Sequence, residues 1–273
     1  MKIFQSNKFN FDADTFKKST YVLGSLVKKN IRAQYRNSSL GVLWTVLNPL
    51  LNMLVMAMVF GELFGRRLPA GIDYPVYVLA GNTVFGLFRM TTSTGLECMV
   101  NNYSLITKTR IPYYVFPTSN LLSATVNFGF SFLALIIVML IRIPNGVTFH
   151  WTILMTLVPF LPSLMMFALG LALILATLYV RFRDIKHLYS VILTLWMYLT
   201  PLFYVPSMLG QTAQTILKYN PMFHYVGYFR QIIQAGTVPD WKSHLICYGC
   251  GIVMLTIGIL VFHRNKKTFI LYL

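Results

Sequence analysis

The sequence predicts an all-α integral membrane protein. Six transmembrane helices are expected, with an N-terminal amphipathic interface helix and short re-entrant gate helices at the outer face. Three observations predict it. Of 273 residues, 56% are hydrophobic and only 11% charged, where soluble domains carry about a quarter charged. Six apolar runs, 40–64, 75–97, 115–141, 151–179, 188–205 and 245–262, meet or approach the roughly 20 residues that a helix needs to cross a bilayer core. Basic residues gather in alternate loops, which gives the bundle an orientation.

The net charge is +16. Nucleic acid is excluded as its target by where the charge lies. Lys2, Lys8, Lys17, Lys18, Lys28, Lys29, Arg32 and Arg36 precede the first span. Lys108 and Arg110 fall in the second loop, Arg181, Arg183 and Lys186 in the fourth, and Arg264, Lys266 and Lys267 after the last span. With both termini in the cytoplasm, 16 of the 23 Lys and Arg face inward, as the positive-inside rule requires. Anionic membrane lipids are then the default partner for this charge. The first 20 residues lack an apolar core and a small-residue cleavage site, so no removable signal peptide is expected. No second domain is expected in 1–273.

Residues 19–37 open the argument along the chain. Leu23, Val27, Ile31 and Tyr35 recur every four residues beside Leu26, and Lys28, Arg32 and Arg36 form a parallel basic ridge. Such a helix lies in the headgroup plane with its apolar face down. It serves either as an electrostatic anchor or as a platform for a cytoplasmic partner. The first span, within a bundle over 40–262, contains Asn48-Pro49 and is expected to kink there. Arg66, Arg67 and Asp73 occupy an outer loop, and the second span returns inward from Pro75. The inner segment 101–112, bracketed by prolines at 112 and 117, reads as a short helix across the inner face. The third span ends at Arg142-Ile143-Pro144. The fourth carries Pro159, Pro162 and the small-residue stretch FALGLALILA, which permits close helix packing. Segment 201–236 is too apolar for an open loop and too broken for a span. Asn220-Pro221 is a helix start and Gly236 a helix stop, so two short re-entrant helices fit it.

The chemistry of an enzyme is not apparent. His150, His187, His224, His244 and His263 sit in loops or at span ends without metal-ligand spacing. Cys247 and Cys250 form C-x-x-C inside an apolar run, which reads as packing. No G-x-x-x-x-G-K-[ST] occurs, so the chain does not cradle a nucleotide by that device. Glu62 and Glu97 lie near span ends, poorly placed for a proton relay, which points to an external ATPase. Arg89 lies midway down the second span, where a cation costs at least ~2.5–3.5 kcal/mol unless paired or hydrated. It is either paired with carboxylates or carbonyls of a neighbouring helix or in contact with a phosphate on the substrate. The aromatics Phe203, Tyr204, Tyr219, Phe223, Tyr225, Tyr228 and Phe229 fit an interfacial belt. They also fit an exit where sugar rings slide over aromatic faces, with Arg230 holding a gate helix or meeting an anionic substrate.

The segments RAQYRNSSLGVLWTVLNPLL, NNYSLITKTRIPYYVFP, YVRFRDIKHLYSVI, LTPLFYVPSML and YNPM follow in that order. Together, from about residue 20 to about 262, they resemble the permease of type-2 ABC exporters for lipid-linked polysaccharides, the O-antigen, capsule and teichoic-acid export family. The resemblance implies an ATPase-coupling surface of Lys28, Arg32, Arg36, Leu105, Ile106, Lys108, Arg110, Arg183 and Asp184. It implies outer gate helices over 201–236. A substrate path past Arg89, Phe85, Phe203, Tyr204, Phe223, Tyr225, Tyr228 and Arg230 joins that expectation. A tryptophan common near Gly81-Asn82-Thr83 in the family is absent, and Phe85 stands nearest. The implied partners are a second copy, two ATPase subunits carrying ATP and Mg, and the lipid-linked glycan in a bacterial plasma membrane. No cofactor is expected on this chain. The competing readings are a type-2 permease for a small hydrophobic drug or lipid, a membrane-bound glycosyl- or acyltransferase, and a passive channel.

Overall fold

A computed structural model describes residues 13–35, 41, 43–64, 72–109, 111–266 and 269. The helices run α1 Ala13–Tyr35, α2 Leu43–Phe64, α3 Tyr74–Asn101, α4 Tyr103–Lys108, α5 Val115–Ile141, α6 Phe160–Arg181, α7 Ile185–Leu199, α8 Gln211–Lys218, α9 Pro221–Arg230 and α10 Trp241–Asn265. No strand occurs among the described residues. Residues 43–62, 115–141, 151–181 and 241–265 are long and apolar enough to cross a membrane. α3 has the length, 28 residues, but carries polar groups along one face. α7 is apolar but has only 15 residues.

α3 is the centre of the bundle. Asp73 caps it by accepting from the Val76 N–H (3.4 Å), and Pro75 occupies its first turn, where a missing N–H is harmless. Its buried residues face α2, α5, α6, α7 and α9. One ring stack fixes the middle: Phe88 packs at 5.6 Å from Phe167 of α6 and edge-on at 5.0 Å to Trp196 of α7. The Tyr189 hydroxyl of α7 donates to Thr92 Oγ1 at 2.6 Å inside the same core. The expected kink proline, Pro49, lies inside α2. Only 6% of the apolar stretch of α2 is buried, against 61% for 151–181, so α2 lies at the edge of the bundle.

α6 and α10 make the closest pair. A Cβ on Gly170 would strike the Met254 backbone, and one on Gly258 would strike the Gly170 carbonyl. Bare backbones therefore touch, which replaces the hydrophobic force that lipid tails cannot supply between helices. The fourth apolar run begins later as an α-helix than its composition suggests. Trp151–Thr156 forms a 3-10 helix, and α6 starts at Phe160, because Pro159 and Pro162 lack the N–H groups that a continuing helix would need. Thr152 Oγ1 ties this turn to the Ile232 carbonyl at 2.7 Å.

Part of the apolar side of α1 packs on protein. Leu26 is buried against Cys98, Met99, Ile106 and Phe116, with Val22 and Leu23 beside it. Its last turns run along α5: Asn30 Nδ2 donates to Asn120 Oδ1 (2.8 Å), and Asn127 Nδ2 donates to Gln34 Oε1 (3.1 Å). The apolar face thus covers protein, because the first turns of α5 offer both apolar and amide partners. Lys28 and Arg32 remain exposed.

Gly258→Val is expected to overpack the α6–α10 contact at a cost of order 1–3 kcal/mol. Scanning fluorimetry in detergent should show a lower melting temperature; an unchanged one would contradict the close pair.

Candidate functional site

One end of the bundle carries α1, α4, the α6–α7 loop and the last turn of α10; it is called the basic end here. α4 follows α3 after a single turn residue, with Leu105 half-buried, Ile106 buried and Lys108 exposed. Ile106 shares one apolar cluster with Leu26 of α1, Phe116 of α5, Val180 of α6 and Phe262 of α10. α4 therefore sends Ile106 into an apolar cluster that also draws on α1, α3, α5, α6 and α10. Asn102 seats its start, donating to the Cys98 carbonyl (2.8 Å) and receiving Lys29 Nζ (3.3 Å). In the α6–α7 loop, Arg183 and Asp184 are exposed, and the Arg183 guanidinium lies 5.3 Å from the Tyr179 ring centre. Asp184 receives the N–H groups of His187 and Leu188 on its carbonyl, which starts α7. A Lys186–Glu97 ion pair of 2.7 Å joins that start to the last turns of α3.

The opposite end is built around a turn that is not helical. The carbonyls of residues 199–204 each have a donor. Leu199 O receives Asn220 Nδ2 (3.2 Å), and Thr200 O the Leu202 N–H (2.7 Å). Pro201 O and Leu202 O receive Arg230 Nη1 (2.6 Å) and Nη2 (2.9 Å). Phe203 O and Tyr204 O receive the hydroxyls of Tyr74 (2.9 Å) and Tyr77 (3.0 Å). Arg230 also donates to Tyr77 O and lies 3.4 Å from the Tyr77 ring centre. Gly81 makes room for it: a Cβ there would stand 2.7 Å from Nη2. Asn220 Oδ1 caps α9 at the Met222 N–H (3.0 Å) and accepts from Trp196 Nε1 (2.8 Å), tying α9 to α7. A π-turn, Gln231–Ala235, extends α9, and Gly236 closes it in the left-handed region at φ 62°.

Among the positions of the expected substrate path, Phe85, Tyr225, Tyr228 and Arg230 are buried in the core of this chain. Phe85 packs on Phe88, the Tyr225 hydroxyl donates to Cys247 O (2.6 Å), and the Tyr228 hydroxyl meets His244 Nδ1 (2.9 Å). Arg230 spends its donors on backbone carbonyls, so it holds the α9 end and not an anion. Phe203, Tyr204 and Phe223 are half-buried. Arg89 is exposed, and its guanidinium forms no ion pair or hydrogen bond with a described side chain. Arg36 and Arg110 lie outside the described residues, as do Arg66 and Arg67.

The sequence reading missed the Lys186–Glu97 pair and the Arg142–Asp73 pair (2.6 Å), which locks the start of α3 to the end of α5. Each joins residues too far apart in sequence for periodicity to link them. No cluster of His, Cys, Asp and Glu able to hold a metal occurs among the described residues.

A multi-span helical body, with a basic end of short exposed segments and an opposite end of broken helices, defines the membrane component of a transporter. Residues 21–233 match the family model for the ABC-2 type transporter. The chain belongs to that family, one of membrane permease subunits. It is 30% identical over 250 residues to an O-antigen export system permease protein of Myxococcus xanthus, covering 91% of this chain and 94% of that one. A capsule polysaccharide export inner-membrane protein of Neisseria meningitidis is 24% identical (90% and 91% covered). A polysialic acid transport protein of Escherichia coli is 21% identical (89% and 93% covered).

Arg230→Met keeps bulk but removes every donor from buried carbonyls, each worth about 1–3 kcal/mol when orphaned. A loss of order 3 kcal/mol or more is expected in denaturant titration of the detergent-solubilised chain. Tyr74→Phe, which orphans one carbonyl, should cost about a third of that; equal losses would contradict the assignment.

Proposed function

We propose that this chain is the permease subunit of an ATP-driven exporter that moves lipid-linked polysaccharide from the cytoplasmic side across the bacterial plasma membrane. The observation that carries the reading is the seat of α4. Its buried Ile106 belongs to the apolar cluster that also holds residues of α1, α5, α6 and α10, so a load on the exposed side of α4 enters that cluster. A six-residue helix has no reason to sit at such a junction unless something presses on it. The likeness to O-antigen and capsule export permeases over nine-tenths of the chain supplies the cargo.

In this reading the basic end faces the cytoplasm, as the positive-inside rule favours. Lys28, Arg32, Lys108, Arg183 and Asp184, all exposed, meet the ATPase, with Leu105 and Ile106 fixing α4 beneath them. Arg36 and Arg110, which the family resemblance adds to this set, lie outside the described residues. ATP and Mg belong to the two partner subunits. Closure of that pair pushes α4 and the α6–α7 loop together, and the Lys186–Glu97 pair makes α3 and α7 move as one. Six spans per copy are counted by including α3 and α7, which a second copy completes. Two cavities of the described chain, one beside Asp73 and Thr148 of about 10 Å³ and one between the ends of α6 and α10 of about 100 Å³, are smaller than the roughly 300 Å³ of small-ligand pockets. In this reading the passage lies between two copies. The 201–236 segment gates its outer mouth, with Phe203, Tyr204 and Phe223 as the half-exposed aromatics there. The drug or lipid permease reading shares this fold but does not share the cargo of the polysaccharide-export relatives.

The purified chain alone should hydrolyse no ATP, and a separate ATPase should co-purify with it from its native membrane. With that ATPase, Lys108→Glu should lower coupled glycan export about tenfold while membrane insertion stays normal, as seen by radiolabelled glycan transfer in vesicles. Export at the wild-type rate would remove α4 from the coupling path.

A further inference from the structure

α3 shows one polar face to the outside of the chain. Gly86, Arg89, Ser93, Thr94, Glu97 and Asn101 recur every three or four residues, all at least partly exposed, while the other faces of the helix are buried. α5 borders this face on one side, where Asn120 Nδ2 donates to Thr94 O (2.9 Å) and Asn127 Nδ2 approaches Met90 Sδ (3.3 Å). α7 borders it on the other through Lys186 and Glu97. A polar stripe running along a central span faces water and not lipid. Arg89 stands in its middle, about 24 Å along the helix from Asp73 and about 18 Å from Asn101 at 1.5 Å per residue.

Among the described residues, no carboxylate pairs with Arg89. The chain has seven acidic residues, Asp12, Asp14, Glu62, Asp73, Glu97, Asp184 and Asp240. Asp12 and Asp14 belong to the N-terminal segment ahead of the spans, and Glu62 lies in the last turn of α2. Asp73 is paired with Arg142, and Glu97 is paired with Lys186 about 12 Å further along α3. Asp184 and Asp240 stand at the starts of α7 and α10. Glu62, Asp73, Glu97, Asp184 and Asp240 all lie at or near helix ends, away from the level of Arg89. A second copy related by a two-fold axis along the membrane normal keeps every residue at its own depth, so the partner brings no carboxylate to that level either.

We infer that Arg89 is the mid-membrane contact for an oxyanion carried by the exported substrate, with the polar face of α3 as the wall along which that substrate passes. The inference rests on the export reading above and adds the chemistry of the cargo. The guanidinium presents two parallel N–H donors that match phosphate or carboxylate. The oxyanion is either the phosphate joining glycan to lipid or an acidic group on the sugars. In both cases a permanent cation halfway across lowers the barrier for a charge that the membrane interior otherwise repels.

The test uses the permease–ATPase complex in proteoliposomes and reads the probe concentration that half-maximally stimulates ATP hydrolysis. Three probes are compared: a neutral oligosaccharide on polyprenyl pyrophosphate, an acidic oligosaccharide on an uncharged alkyl anchor, and the neutral oligosaccharide on that anchor. Arg89→Gln should raise the half-maximal concentration about tenfold for at least one charged probe and leave the neutral one unchanged. Arg89→Lys, which keeps the charge, should stay within about threefold of wild type. The charged probe that shifts identifies the source of the oxyanion. Equal values for wild type and Arg89→Gln on every probe, or an equal shift on all three, would overturn the assignment of Arg89 while leaving the export reading intact. A wild-type complex that responds to none of the probes would overturn both.

Discussion

A run of buried non-helical backbone governs the fold at the end opposite the basic loops. Thr200, Pro201 and Leu202 are buried, so water cannot serve their carbonyls. A chain in or beside a bilayer tolerates such a run only where protein donors surround it. Here the donors come from three places: Tyr74 and Tyr77 on α3, Asn220 ahead of α9, and Arg230 at the end of α9. Arg230 is the keystone because one guanidinium serves three carbonyls, and its charge is balanced by carbonyl dipoles and the Tyr77 ring. Other features follow from it. A side chain at residue 81 would push the guanidinium off its carbonyls, and α9 ends beside the start of α3.

α3 connects this caged turn to the basic end. Its first turns hold the carbonyl donors and the Asp73–Arg142 pair, and its last turns hold Glu97 and lead into α4. Its middle is packed by Phe88 against two other helices. A helix held at both ends and in the middle moves as a rod. In the proposed exporter, a push on α4 therefore arrives at the 201–236 segment as a displacement of its donors. The polar face of the same rod stays unpacked, which is how one helix serves both as strut and as wall.

Local chemistry was readable in the sequence, and facing was not. The Asn220-Pro221 start and the Gly236 stop were placed correctly because capping needs only neighbouring residues. The small residues of α6 announced a close contact because few other functions call for them in an apolar run. By contrast, the sequence leaves Tyr225 and Tyr228 open between an interfacial belt and an exit, and the structure buries them. Aromatic content is the same in a core as in a belt, and only tertiary contact separates the two. Which of the two readings held for Arg230 was hidden for the same reason: its carbonyl partners lie far off in sequence. Hydropathy ran on across Pro159, so the late start of α6 was invisible to it. The coupling surface was named from resemblance, and the seat of Ile106 adds a physical reason for α4 to matter.

The cage of donors around residues 199–204 is the claim on which the opposite end depends. Its most direct test is an electron cryomicroscopy map of the permease with its ATPase in a lipid nanodisc. The account predicts density joining the Arg230 guanidinium to the carbonyls of Tyr77, Pro201 and Leu202, with residues 200–204 outside any helix. A map in which α7 continues as a helix through residue 204, or in which Arg230 points to solvent, would contradict it.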